Sequence, residues 1–424
     1  MKPHLLLLAY YFPPAASIAS LRAWYIAKHL SRCGWKVSVL TVDPRNLTRI
    51  DEIDGFAEKV ARENINLVYT NHSWRFLAPW MLRTSNAGMR RICGGILRQL
   101  ALRLGVEPES GWFLHALRAA RSLQPDTITG VLATGPPYFV WNLAARIGAG
   151  LNRPFVLDYR DLWCSSPHEP PVRFKVAKRL ALRLERKLTK SASAVTCVSP
   201  SMATILNAQF ALGAKLHVIT NGYDPEELVA VRPKEFSEFA IVYAGTFYPP
   251  KGIIDPVFEA LAPLNEARDS QRYQWRFHYY GDQIGLVERA ASRWGIRDRI
   301  TLRGRRSRAE CLSALKGADI GVVVTTVQET NDLADLGIVT GKVFESTSLA
   351  KATLIVAPNG SDLALMFQEE SNVEVLPGSS IQQITHFFRR RFSASTPTLN
   401  PSGEFAWPSL VRKLDAVLRS ALSA

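Results

Sequence analysis

Short, nearly unbroken apolar runs recur along this chain, and each leads through a turn into a segment with helical spacing. In the first half these runs include "LLLLAYYF", "VSVLTV", "ITGVLAT", "PFVLDY", "AVTCVS" and "LHVIT"; in the second, "FAIVYAG", "WRFHYYGD", "ADIGVVVTT" and "ATLIVAP". Runs that do not alternate with polar residues are buried on both faces, as strands of a parallel sheet are. Parallel neighbours need long crossover connections, and the intervening helical segments supply them. The opening unit shows the pattern: a strand at Leu5–Tyr10, a helix near Ser20–Cys33 with Leu21, Ala27 and Leu30 on one face, a capping Gly34, and a strand at Val37–Val42. The fold class that follows is α/β, with doubly wound parallel sheets.

The series runs to about residue 220 and restarts near 236, after a charged stretch that includes Pro225 and Pro233. With 424 residues the chain is long enough for about two domains at the usual ~100–200 residues each. The expected division is a first Rossmann-like domain at 1–220, a linker at 221–235, and a second Rossmann-like domain at 236–400. A last helix, within 405–424, is expected to return to the first domain.

Charge divides unevenly between these halves. Of the net +15, residues 1–235 hold 31 Lys+Arg against 17 Asp+Glu, and the rest of the chain holds 21 against 20. A basic first domain attracts an anionic partner, and a membrane surface fits better than nucleic acid, for which no recognised motif is present. The stretch 64–106 contains no acidic residue and interleaves arginines (Arg75, Arg83, Arg90, Arg91, Arg98, Arg103) with Trp74, Phe76 and Trp80, a composition suited to an anionic bilayer surface. The run 173–190 adds eight more basic residues, which read equally well as a solvated helix face. No apolar run approaches the ~18 residues of a membrane span, and a signal peptide is not expected because only Lys2 precedes the first run. Five scattered cysteines without a C-x-x-C pair fit free thiols in a reducing cytoplasm rather than zinc or disulfides.

Ligands of doubly wound sheets sit beyond the carboxyl ends of the strands, so the loops there are the places to search. "FPPAASIAS", around Ser17, ends at a helix start where small residues let backbone N–H groups approach an anion. "VYAGTFYPPKGI" offers Gly245 for close approach and Lys251 as an ammonium that can neutralise a departing diphosphate. In "TGKVFESTSLAKATLIV", Lys342 and Glu345 share a helix face, and a carboxylate there can accept two sugar hydroxyls. "DYRDLW" places Asp158 and Asp161 around Arg160; a carboxylate there can position or deprotonate an acceptor hydroxyl, or the group can be an internal ion pair. No Asp-x-Asp spacing or histidine ligand pattern supports a metal.

In this order the motifs resemble the bacterial family 4 glycosyltransferases of GT-B fold, in a subgroup associated with surface polysaccharide assembly. The resemblance runs through "YYFPP", "GWKVSVLTV", "ESGWFLHALRAARSLQPDTITGVLATGPPY", "PFVLDYRDLW", "VTCVSPSM", "VITNGYD", "VYAGTFYPPKG", "YYGD" and "GKVFESTSLAKATLIV". It implies two facing Rossmann-like domains and sugar transfer from a nucleotide-diphosphate sugar, with retention and with neither metal nor cofactor. It implies catalytic roles for Lys251, on the diphosphate, and Glu345, on the nucleotide ribose; Asp161 joins them as the expected catalytic carboxylate from the reading of "DYRDLW" above. Donor contacts are implied for Ser17, Gly245, Thr246, Gly281, Arg306 and Lys342, and acceptor or positioning roles for Arg22, Tyr138 and Arg160. Three positions depart from the family pattern: Gly337 stands where the first glutamate of an E-x7-E pair belongs, with Asp335 out of register; Thr246 replaces an arginine; and alanines and serines replace glycines in the opening loop. Arg306 or Arg22 is the expected substitute for the missing charge.

The implied activity is glycosyl transfer to a lipid-linked or surface-polysaccharide acceptor at the cytoplasmic membrane face. Alternatives are a catalytically weakened sugar-nucleotide binder, for which Gly337 and Thr246 speak, and a sugar-nucleotide epimerase of the same fold.

Overall fold

The computed structural model describes residues 2–15, 18–47, 50, 55–73, 107–123, 125–166, 175–265, 274–393 and 401–422. Ser17 and most of the acid-free stretch 64–106 lie outside the described residues. The chain divides into two compact units, Met1–Thr220 with Trp407–Ala424, and Asn221–Ala406.

Unit 1 is built on a sheet of β1 (His4–Leu8), β2 (Lys36–Val42), β3 (Ile65–Thr70), β4 (Gly130–Gly135), β5 (Phe155–Tyr159), β6 (Ala194–Cys197) and β7 (Leu216–Val218), in the order β3-β2-β1-β4-β5-β6-β7. Every pairing is parallel. The inner strands are buried because helices cover both faces, with all five residues of β1 and all six of β4 buried, whereas the edge strands β3 and β7 are only partly covered. One face packs on the helix Ile18–Arg32 and on the helix Trp407–Leu422, whose Trp407, Leu410, Val411, Leu414 and Leu418 belong to the same core as Leu5, Leu7, Tyr25 and Trp35. Trp407 stacks on Tyr25 at 5.3 Å, and the Trp35 indole donates to Asp415 at 2.6 Å.

Unit 2 carries β8 (Phe239–Ala244), β9 (Trp275–Tyr280), β10 (Ile300–Leu302), β11 (Ile320–Val324), β12 (Ala352–Val356) and β13 (Val373–Leu376), again all parallel, in the order β10-β9-β8-β11-β12-β13. Renumbered within the unit this is 3-2-1-4-5-6, the doubly wound dinucleotide-binding order. Successive side chains go to opposite faces: Ile241 and Tyr243 join the core under the helices Asp255–Leu261 and Ile384-bearing Ile381–Ser393, whereas Val242 joins the core under Arg308–Gly317 and Gly341–Leu349.

Residues 221–235 differ from the linker read in the sequence. Asp224 caps a helix at Pro225–Ala230, Leu228 is buried in the second core, and the Tyr223 amide donates to the Phe405 carbonyl at 3.1 Å. The segment is an integral part of unit 2.

Candidate functional site

In unit 2 the candidate side chains gather at the carboxyl ends of β8 and β11 and at the start of the helix Gly341–Leu349. β8 is followed by Gly245, whose φ of +142° suits glycine and whose amide donates to the Tyr280 carbonyl of β9 at 2.8 Å. The loop beyond it folds back at Tyr248–Gly252 and is held to the end of β11 by the Val327 amide, which donates to the Lys251 carbonyl at 2.9 Å. A side chain at position 252 would meet the Thr325 carbonyl at 2.8 Å, so the glycine after Lys251 lets the loop lie against that strand end.

The Lys251 ammonium donates to both carboxylate oxygens of Asp335, at 2.9 and 2.7 Å. Asp335 is buried, with 3% of its side chain exposed, while the lysine keeps 33%. Asp335 belongs to the short helix Leu333–Leu336, and Gly337 follows as its C-cap. The carboxylate out of register in the sequence is therefore the one that faces the lysine, and sequence reading had no role for it.

A second ammonium lies beside the first loop. Lys342 Nζ donates to the Tyr243 hydroxyl at 3.1 Å and to the Thr246 carbonyl at 3.0 Å, and sits 5.1 Å from the Tyr243 ring centroid. A Cβ on residue 245 would come within 3.0 Å of it. Loss of hydration draws its pKa down to about 8, against the opposing pull of Glu345. Thr246, which replaces an arginine of the family pattern, thus contributes its carbonyl to a neighbouring cation. The expectation named Arg306 or Arg22 for the missing charge; the cation that lies beside Thr246 is Lys342. Arg306 is an exposed residue of the turn before the helix Arg308–Gly317.

Glu345, one turn along the same helix as Lys342, accepts from Arg308, which also donates to Glu227 at 3.2 and 2.9 Å. Gly281 serves packing: a side chain there would lie 2.2 Å from the Tyr279 hydroxyl and 2.5 Å from the Gly245 carbonyl. The Tyr243–Lys342 and Lys251–Asp335 contacts join residues 99 and 84 positions apart, which local sequence pattern cannot register.

In unit 1 the expected acceptor residues are largely occupied by the protein itself. Arg22 forms a fork with Asp158, Nε to Oδ2 at 3.0 Å and Nη2 to Oδ1 at 2.7 Å, and donates to the Ile219 and Thr220 carbonyls at 2.9 Å each. Thr134 and Thr196 each donate to Asp158 at 2.7 Å. Burial alone would raise the Asp158 pKa; the Arg22 charge and these hydrogen bonds outweigh it and hold the carboxyl below its ordinary value. Arg22 is a structural clamp joining the helix Ile18–Arg32 to β5 and the end of β7, not a ligand-facing group. Arg160 donates to the Gly135 and Pro136 carbonyls and so braces the loop after β4. Tyr138 stacks on Trp163 at 5.3 Å with its hydroxyl donating to the Leu162 carbonyl at 2.8 Å, a packed position.

Asp161 differs from these. Its side chain is exposed, yet the crowding of surrounding protein raises its carboxyl pKa, with Arg160 pulling the other way. Glu107 accepts from the Tyr138 and Phe139 amides at 2.7 and 2.6 Å and caps the helix Phe139–Leu151 in place of a local side chain. Burial pushes its pKa up to about 7. The Tyr11 hydroxyl donates to Glu109 at 2.9 Å. Neither glutamate was singled out in the sequence.

Residues 19–222, nearly the whole of unit 1's main segment, match the glycosyl transferase 4-like domain family. This segment, just under half of the chain, is a glycosyl transferase 4-like domain, and the protein is a glycosyltransferase. Over its whole length it is similar to solved structures of GT-B fold. Sucrose-phosphate synthase from Thermosynechococcus elongatus is 16% identical, with 100% of each chain covered and a TM-score of 0.59. The trehalose-phosphate synthase (UDP-forming) of Burkholderia vietnamiensis is 11% identical, with 100% of each chain covered and a TM-score of 0.58. WaaG, a glycosyltransferase involved in lipopolysaccharide biosynthesis, is 14% identical over 99% of this chain and 98% of its own, with a TM-score of 0.54. No curated protein matches by sequence. The two parallel sheets of this glycosyltransferase are those of the GT-B fold.

Among the described residues, no group of three or more His, Cys, Asp or Glu is arranged to hold a metal, and no helix is long and apolar enough to cross a membrane.

Proposed function

We propose that this glycosyltransferase moves a sugar from a nucleotide-diphosphate sugar to a lipid-linked or surface-polysaccharide acceptor, with retention and without a metal. The observation that carries the donor half is the pair of ammonium groups, Lys251 and Lys342, at the carboxyl ends of strands in a sheet of dinucleotide-binding order. When the bond from the anomeric carbon to the phosphate oxygen breaks, its electron pair leaves with the diphosphate. Two fixed cations offset that charge without an ion.

Lys251 is only partly buried, so its ammonium can exchange Asp335 for phosphate oxygens when the donor arrives; Asp335 holds it in place until then. Glu345, steadied by Arg308, accepts the ribose hydroxyls. On the acceptor side Asp161 receives or positions the attacking hydroxyl, and its raised pKa suits it to hold a proton transiently.

The polysaccharide reading draws on the resemblance to the surface-polysaccharide subgroup and on the likeness to WaaG. The membrane reading draws on the helix Lys175–Ser191, where Lys175, Lys178, Arg179, Arg183, Arg186, Lys187 and Lys190 are exposed together with Val176 at 67% and Leu180 at 58%. That face suits the inner surface of an anionic membrane at the cytoplasmic side.

A panel of sugar nucleotides tested for protection against thermal unfolding checks the donor class. One or more should raise the Tm of the full chain by mass action, and the protecting donor should be turned over. Protection without transfer or hydrolysis would favour the binder reading, to which the Asp335-paired state of Lys251 lends itself. Protection by none would remove the proposal. Co-sedimentation with anionic against zwitterionic vesicles at rising salt tests the membrane half.

A further inference from the structure

A polar cleft opens in unit 1 at the carboxyl ends of β2 and β3, at the edge of the sheet and away from the β1–β4 position where the opening loop leaves. Its volume is about 330 Å³, and it is lined by Asp43, Arg45, Tyr69, Thr70, Asn71 and His115. That volume lies at the lower end of the ~300–1,000 Å³ typical of small-molecule sites. We propose that this cleft is a carbohydrate subsite that takes a neutral pyranose ring.

The floor is rigid. The Asp43 amide donates to the Thr70 carbonyl at 2.9 Å, the Trp112 indole donates to the Thr70 hydroxyl at 2.6 Å, and the Ser73 amide donates to the Gly111 carbonyl at 3.0 Å. A side chain at 111 would come within 2.5 Å of the His72 ring, so the backbone approaches closely there. These bonds fix the three segments that contribute the lining, which reduces the ordering a ligand must cause.

Two features select the ligand class. Tyr69 leaves 42% of its surface exposed, giving an aromatic face on which the C–H side of a sugar ring can lie. Beside it, Arg45 is forked to Asp43, with Nε at 3.0 and 3.1 Å from the two oxygens and Nη2 at 2.5 Å from one of them. The arginine is 85% exposed, so its outer N–H groups face solvent. The pair carries donors and acceptors side by side but no net charge. A phosphate would find no uncompensated cation, whereas adjacent hydroxyls, each both donor and acceptor, match such a pair. Asn71 adds an exposed amide with both capacities, and His115 is oriented by a 2.9 Å hydrogen bond to Ser73. An aromatic platform flanked by paired polar groups of zero net charge is the chemistry of sugar recognition.

The subsite's meaning as the seat of an acceptor sugar rests on the transferase reading above; its existence as a sugar-binding cleft does not. Saturation-transfer NMR on the full chain with methyl α-glucoside, α-galactoside, α-mannoside and N-acetyl-β-glucosaminide, and with inorganic phosphate as competitor, tests it. At least one glycoside should bind, undisturbed by phosphate, and its affinity should fall about tenfold or more in both Tyr69→Ala and Arg45→Met. Arg45 is so exposed that its replacement leaves the fold intact even if the tyrosine variant is unstable. Sugar-nucleotide protection of these variants should equal that of the wild type. No glycoside binding, binding unchanged in Arg45→Met, or displacement by phosphate would each overturn the subsite. Glycoside binding in a protein that no sugar nucleotide protects would instead overturn the transferase reading and leave the subsite standing.

Discussion

Arg22–Asp158 in unit 1 and Lys251–Asp335 in unit 2 are both ion pairs of a buried aspartate with a long cation, and the two pairs differ in what surrounds them. In unit 1, Arg22 and Asp158 are 1% and 2% exposed, and further donors and carbonyls take up the remaining hydrogen-bonding capacity around them. In unit 2, Asp335 is equally buried, but its Lys251 partner keeps a third of its surface in solvent. A closed pair can only hold a structure together, because exchanging either partner for a ligand would strand a charge in the interior. A pair with one wet member can trade partners. Burial of the cation, rather than the presence of the pair, therefore separates scaffold from site.

The largest effect should come from the closed pair. Asp158→Ala strands Arg22 in the core and should cost about 3–5 kcal/mol of stability, read by urea denaturation of the full chain. A loss below about 1 kcal/mol would erase the contrast drawn between the two units. Lys251→Gln should act mainly on turnover, lowering it by roughly 10²–10³-fold, and should cost less stability than Asp158→Ala because the glutamine amide can still donate to the buried Asp335. Full turnover in that variant would end the diphosphate role of the amine. Glu345→Gln should weaken donor protection more modestly, by roughly tenfold, as expected when one charge-assisted hydrogen bond becomes neutral.

The smallest effect is a dependence on pH through Lys342. Its folded-state pKa of about 8 lies below the ordinary lysine value of 10.5. The unfolded chain therefore holds the extra proton between these values, and this group's contribution makes the unliganded protein more stable as pH rises through them. Donor affinity should move the opposite way, falling above pH 8 as the ammonium loses its charge. Lys342→Met should flatten both trends. Parallel slopes for affinity and stability in the wild type would remove Lys342 from the donor site.

The strand–helix alternation was legible because burial on both faces removes polar residues from the strands, and that is a local signal in runs such as "FAIVYA". Lys251 was legible for a similar reason, since a lysine and glycine follow a strand end. Its partner was not: Asp335 fell two positions away from the register where an acidic residue was sought, and only the folded chain brings the two together. Arg22 was misread because its partner lies 136 residues away and nothing near it in sequence announces a fork. The segment 221–235 carried a legible sign that was passed over. Asp224 followed by Pro225 is a cap and first-turn pair that starts a helix, whereas the charges and prolines were read as a connection. Glu107 gave no sign, because a helix capped by a carboxylate from 31 residues upstream has no capping residue of its own to find.

The helix Trp407–Leu422 completes the core of unit 1, although the chain leaves that unit at Thr220 and builds all of unit 2 before returning. On a ribosome the later-encoded unit is thus whole before the earlier one is. Until the last helix emerges, Tyr25, Leu30 and Trp35 face water, and the nascent chain carries a hydrophobic stripe for as long as translation of nearly two hundred further residues takes. Loss of that helix would leave unit 2 intact and unit 1 unfinished, so premature termination close to the end would be about as harmful to unit 1 as termination far upstream.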